Sequence, residues 1–317
     1  MSSITDAIER LIISTGDDVS SRIGIIEKDC TIDGTKTIAH FFYIKLDGNG
    51  NIRKDDFLNF VTDRIVDYSI PEKEKHEARE HVVKTGSMSK CIELQRKATA
   101  LFTDLEKTGE LGELLLYILS MEILRIPQLI SKMSLKTSGR LHYQGADAIH
   151  FNYNKDTQML EIYWGESKME KTITSALKNC FESISPILAS AISDDSPQSR
   201  DIQLIITHLS DNINNRELED FLVEYLDLNS EKSNKMDFRG ICFIGFDSKE
   251  YPQNPKEKID SELFSELQTR IKGWKKSIKT QIGKHTSLEK FDINVFLMPF
   301  DSVDNMRTDF LKKLKKK

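Results

Sequence analysis

Cysteine is scarce: Cys30, Cys91, Cys180 and Cys242 are the only four in 317 residues, and they stand far apart. None forms a C-x-x-C, and none is paired with histidine at zinc-ligand spacing. That argues against a zinc site and a disulfide framework, and it fits a reducing, cytoplasmic setting. No apolar run approaches the ~20 residues that span a bilayer, and the N-terminus lacks a basic-then-apolar signal pattern. No membrane association is expected. No G-x-x-x-x-G-K-[ST] occurs, so any ATPase must come from a partner. Positive charge is not in excess, with 45 Lys and Arg against 50 Asp and Glu and a net charge of −5. A free-standing DNA binder is more often basic. If this chain handles DNA, it does so through a local patch or a partner. There is no internal repeat or low-complexity segment. What is present is ordinary globular composition, 38% hydrophobic and 30% charged, enough chain for one large domain or two small ones.

The most informative stretch runs from Gly145 to Lys168, GADAIHFNYNKDTQMLEIYWGESK. Ala146 to Tyr153 and Gln158 to Lys168 are rich in β-branched and aromatic residues, with Asn154-Lys155-Asp156-Thr157 as a polar turn between them. A β-hairpin is expected. Side chains alternate along a strand. Asp147, Ile149, Phe151 and Tyr153 therefore share one face, as do Leu160, Ile162, Trp164, Glu166 and Lys168. Pairing Tyr153 with Gln158 sets Asp147 opposite Trp164 and makes Asp147 and Glu166 diagonal neighbours. The shared face is apolar in its middle and charged at its open end.

Two carboxylates at one end of a hairpin suit a hard cation. Mg²⁺ commonly takes one or two carboxylates plus water and phosphate oxygen, and Mn²⁺ is an alternative. Lys168 projects to the same side and could stabilise charge on a phosphate or orient a water. Glu166-Ser167-Lys168 is the only E-x-K in the chain. Asp247-Ser248-Lys249 is a competing D-x-K after a plausible strand, but it lacks an acid on an adjoining hairpin strand. A structural salt bridge at a sheet end is the plain alternative for the Asp147 set.

The remaining pattern is mixed α and β. Ser3 to Ile13 reads as a short amphipathic helix, and Asp17 to Lys36 is polar and weakly patterned. Ile38 to Leu46 reads as a strand with a turn at 47–51. Ile52 and Leu58 occupy positions where a calcium loop needs glycine and a ligand, so that motif is rejected. Lys54 to Tyr68, Glu72 to Val83 and Ser89 to Leu105 read as helices. Gly109 to Leu124 is apolar almost all round from Leu111 and reads as a buried helix. Glu113 is embedded in it, with Glu110 one turn earlier. A buried acid is costly unless paired or metal-bound, although a helix N-terminus also favours acids and accounts better for Glu110 than for Glu113. Lys132, Lys136 and Arg140 form a modest basic patch before the hairpin, either a phosphate contact or a solvated loop. Lys171 to Ile192 is a long helix, Ser193 to Arg200 a linker-like loop, and Asp201 to Leu209 ambiguous. Asn215 to Leu226 is helical, Phe238 to Phe246 a strand, and Glu257 to Ile282 a helix carrying Arg270, Lys272, Lys275, Lys276 and Lys279. Phe291 to Phe300 is a buried strand, and Asp304 to Lys317 a helix with a basic end.

A glutamate in a buried helix (Gly112-Glu113), an aspartate early in a hairpin (Gly145-Ala146-Asp147) and Glu166-Ser167-Lys168 on the next strand resemble the PD-(D/E)xK nuclease superfamily. More closely, GELGELLLYIL, IPQLISKMSLKTS, GADAIHF and YWGESKM resemble the HamA family, the nuclease subunits of Hachiman anti-phage defence systems. The likeness extends from about Ile38 to the C-terminal helix.

That resemblance implies an α/β, restriction-endonuclease-like core, with a mixed central sheet flanked by helices. It implies a 109–317 nuclease core with a C-terminal extension and a 1–108 α+β region packed on it, or one continuous domain. Asp147 and Glu166 would be metal ligands with the Ser167 backbone carbonyl. Lys168 would be the catalytic lysine, and Glu113 or Glu110 the helix acid. The proline of the superfamily motif is Ala146 here. The implied activity is Mg²⁺-dependent DNA hydrolysis, restrained until released by a HamB-type superfamily-2 helicase partner. The rival expectation is a catalytically silent adaptor of the same fold that docks a helicase or senses DNA.

Overall fold

The structure is a computed structural model and describes residues 4–12, 19–102, 109–131, 133–135, 145–189 and 196–316. The strongly apolar, β-branched and aromatic runs become neighbouring strands of one seven-stranded sheet. In chain order the strands are β1 (Ile23–Thr31), β2 (Ile38–Ile44), β3 (Gln128–Ser131), β4 (Ala148–Asn154), β5 (Met159–Glu170), β6 (Met236–Asp247) and β7 (Ile293–Phe300). Their spatial order is β1-β2-β7-β6-β5-β4-β3. β2, β7, β6 and β5 run parallel. Antiparallel pairs close the two sides, β1 on β2 and β3-β4 on β5. The sheet is therefore mixed, and it runs unbroken from the N-terminal strands into the nuclease-like half.

Helices cover both faces. On one, α7 (Ile173–Ala189) packs on β5 and β6, and α10 (Asp260–Ile282) packs beside it. On the other, α6 (Glu110–Leu119) lies across the same two strands, with α2 (Lys54–Thr62) and α11 (Val303–Lys316) nearby. The remaining helices are α1 (Ile4–Arg10), α3 (Ile65–Ser69), α4 (Glu72–Thr85), α5 (Ser89–Leu101), α8 (Pro197–Asn212) and α9 (Arg216–Leu226). Strands buried on both faces read as continuous apolar runs, as GICFIGF in β6 and INVFLMPF in β7 do. Trp274 of α10 fixes its helix by stacking on Phe41 at 6.0 Å and meeting Phe246 edge-on at 5.4 Å. Among the described residues no helix is long and apolar enough to cross a membrane.

Three expectations change. The polar 17–36 stretch contains β1, an edge strand. Its pairing with β2 is irregular between Ile25 and Glu27 and between Glu27 and Cys30, and Asp29 has φ 58°, so its alternation is broken. The linker-like 193–200 stretch becomes helix from Pro197, because Ser196 Oγ accepts from Ser199 N and proline sits at the first turn. Asp201 to Leu209 is thereby helix, within α8. The hairpin register moves by two. Asn154 Oδ1 accepts from Asp156 N and Thr157 N, and Gln158 takes φ 54°. Asn154 therefore ends β4 and pairs with Met159. A shift of two preserves which side chains share a face.

Candidate functional site at the open edge of β5

The corrected register pairs Ile149 with Trp164 and Ala148 with Gly165, and Asp147 N donates to Gly165 O at 3.0 Å. Asp147 therefore meets β5 at Gly165, directly before Glu166, rather than opposite Trp164. β4 begins at Ala148, so among the described residues the last part of β5, from Glu166 to Glu170, is strand-paired with β6 alone. Its other edge is open to Asp147. Asp147 Oδ2 fills that position, accepting from Ser167 N at 2.9 Å and Ser167 Oγ at 3.0 Å. A strand residue's N–H and C=O face the same neighbour, so the Ser167 carbonyl opens on this edge too. Asp147 (6% exposed) and Glu166 (7%) are buried, which brings both acids to the edge of an apolar layer rather than a solvated surface.

The two faces of β5 divide the site. Gly165, Ser167 and Met169 face α6. A Cβ on Gly112 would lie 3.2 Å from Ser167 Oγ and 3.3 Å from Met169 Cγ, so glycine lets the first turn of α6 sit against Ser167. Glu166 and Lys168 face α7, where their charges act on the Cys180 thiol. Lys168 Nζ makes a close ion pair with Glu166 Oε1. Burial works against the Lys168 charge, but Glu166 beside it, with help from Asp147, outweighs burial and raises its pKa. Lys168 is thus a cation that senses both acids.

The helix acids are both buried, and they lie in the first turn, because α6 starts at Glu110. Glu113 is thus embedded, at the first turn, in a helix buried along its length. The helix N-terminus favours either acid by position. Glu113 Oε2 accepts from the Tyr68 hydroxyl at 3.1 Å. Burial first, then the charges of Glu113, Asp147 and Glu110, push the Tyr68 hydroxyl pKa far up. Tyr68 is therefore a fixed donor among three carboxylates. It was not visible in the sequence, where it is one tyrosine near the end of a helix with no motif around it. Asp201 was missed as well. It accepts from the Trp164 indole N–H at 3.1 Å and from the Ala146 backbone N–H. The Ser196-Pro197 helix start was the signal that would have placed it on α8.

The donor set suits a hard divalent cation in kind: two carboxylates and an edge carbonyl, all oxygen. Among the described residues no three His, Cys, Asp or Glu side chains close on one point. Mg²⁺ does not need three, since water and phosphate oxygen complete its shell.

Other candidates fall elsewhere. Lys132, Lys136 and Arg140 lie outside the described residues. Asp247 of the competing D-x-K accepts from Val303 N at 2.7 Å and caps α11, which gives it a structural role. On α10, Arg270 pairs with Glu250 and Lys275 with Glu27, each at 2.6 Å. Lys272, Lys276 and Lys279 line an open groove of about 650 Å³ between α10 and β1.

A mixed α/β sheet flanked by helices, with acids and a lysine at an open strand edge, defines an α/β protein consistent with a nuclease-like core. A family model described as HamA matches residues 22–314 of the chain. The chain belongs to the HamA family, and that membership points to a Hachiman defence protein. No curated protein matches it.

Proposed function

We propose that the chain is the Mg²⁺-dependent DNA nuclease subunit of a Hachiman-type complex, with a PD-(D/E)xK core, acting in the cytoplasm with a HamB-type superfamily-2 helicase. The observation that carries this reading is the seating of Asp147 on β5 at Gly165 and Ser167, on either side of Glu166, with Lys168 ion-paired to Glu166. Asp147, Glu166 and the Ser167 carbonyl would hold Mg²⁺ or Mn²⁺. A bound metal lowers the pKa of water and offsets charge on a phosphate.

The protein's own residues have distinct tasks. Ser167 holds Asp147 from two directions, through its backbone N–H and its hydroxyl. Lys168, ion-paired with Glu166, would offer an ammonium to a phosphate oxygen. Tyr68 holds Glu113, one of the two candidate helix acids with Glu110, in place. The acidic net charge of −5 suits a subunit that relies on its partner to engage DNA.

The test uses plasmid and linear DNA with Mg²⁺ and ATP, and the chain alone or with its helicase. Glu166→Ala, Lys168→Ala and EDTA run in parallel. Cleavage abolished by all three supports the nuclease. A further need for helicase and ATP supports gating by the partner. No cleavage under any condition, with the helicase still bound, supports the silent adaptor instead.

A further inference from the structure

Asp201 lies in the second turn of α8, remote in sequence from the hairpin, and is buried at 5% exposure. Its Oδ2 accepts from Trp164 Nε1 at 3.1 Å, and the Ala146 backbone N–H also donates to it. Trp164 stands two residues before Glu166. Ala146 stands directly before Asp147. One carboxylate therefore ties together the two segments that deliver the paired acids. Gly145 completes the contact, since a Cβ there would stand 2.8 Å from Asp201 Oδ1. Any side chain would push the loop away.

The anchor itself is rigid. Ile202, Ile205 and Leu209 bury the adjoining face of α8. Trp164 is fully buried and meets Phe238 edge-on at 4.6 Å. Burial pushes the Asp201 pKa up, while the Trp164 and Ala146 donors pull it down. A buried acid is costly without such donors.

We propose that Asp201 is a positioning residue that sets the placement of Asp147 against Glu166 by holding the segments before both; this rests on the nuclease reading above. The task needs a carboxylate. An asparagine has the same size but one acceptor oxygen, and it must turn its amide N–H₂ towards the second donor. Asp201→Asn therefore breaks one side of the clamp without emptying the space.

The experiment compares full-length wild type, Asp201→Asn and Gly145→Ala. The last presses on the same contact from the loop side and serves should Asp201→Asn not fold. Three quantities are read: amide hydrogen exchange over 145–148, Mn²⁺ affinity, and kcat with KM for DNA cleavage in the presence of the helicase. Exchange is expected to rise. Mn²⁺ affinity and kcat should fall roughly 10- to 100-fold, the usual loss when the partner of a metal-ligating group is removed. KM for DNA should stay near the wild-type value. Unchanged exchange overturns the clamp. Faster exchange with unchanged kcat and Mn²⁺ affinity reduces Asp201 to a structural donor-satisfier and overturns the proposal. A wild type that neither cleaves nor takes Mn²⁺ overturns the nuclease reading and this proposal together. An active wild type with unaffected variants overturns this proposal alone.

Discussion

Replacing Tyr68 by phenylalanine isolates one hydrogen bond at the heart of the site. The ring stays: it is 2% exposed and tilts against Tyr117 at 5.5 Å. Only the hydroxyl goes, and with it the 3.1 Å bond to Glu113 Oε2. A bond to a charged acceptor contributes roughly 1.5–3 kcal/mol, so Tyr68→Phe should lose about that much in urea unfolding at neutral pH. The hydroxyl remains a donor throughout, because burial and the surrounding acids push its pKa far up. A double-mutant cycle with Glu113→Gln should show coupling of about 1 kcal/mol. A variant as stable as wild type at neutral pH, or a cycle without coupling, would refute the reasoning.

Three further outcomes are expected. His150 is fully buried, its Nδ1 lies 3.2 Å from Ile126 O, and burial pulls its pKa from 6.5 to about 4. Between those values the unfolded chain binds the proton and the folded chain does not, so stability rises with pH; on acidification roughly 3 kcal/mol is lost across the window. Urea midpoints taken from pH 7 to 4 should show this slope, and His150→Gln should flatten it. Gly165→Ala would put a Cβ 2.9 Å from Leu116 Cδ2 and 3.0 Å from the Ala148 carbonyl. It should cost roughly 1–3 kcal/mol in thermal unfolding; an unchanged melting curve means α6 gives way freely. Glu161, 4% exposed, accepts from Asn152 at 3.0 Å, Tyr163 at 2.9 Å and Arg239 at 2.9 Å. Glu161→Ala should cost roughly 3 kcal/mol, the low end for a broken buried pair because Arg239 keeps Asp237. A loss below about 1 kcal/mol, the size of one ordinary hydrogen bond, would mean water replaces the acceptor.

Local pattern carried most of the sheet. Alternation in 146–168 and the apolar runs at 238–246 and 291–300 depend on neighbours one or two residues away, and each became a strand. The shared face of Glu166 and Lys168 followed from the same period. The register did not, because it turns on the Asn154 side chain closing the turn one residue later than the composition implies. β1 stayed hidden because an irregularly paired edge strand loses its alternation. Tyr68 to Glu113 and Trp164 to Asp201 were beyond reach for a different reason: 45 and 37 residues separate the partners. Tertiary packing alone brings them together, and no local spacing encodes it.

In the proposed function Asp147 and Glu166 would hold a divalent cation. Electron paramagnetic resonance of Mn²⁺ titrated into the full chain, with a short DNA duplex present, counts bound ions directly. Wild type should bind Mn²⁺, Asp147→Asn and Glu166→Gln should each weaken that binding at least about tenfold, and Asp247→Asn should leave it unchanged. No bound Mn²⁺ in wild type, or equal binding in all four proteins, would contradict the claim.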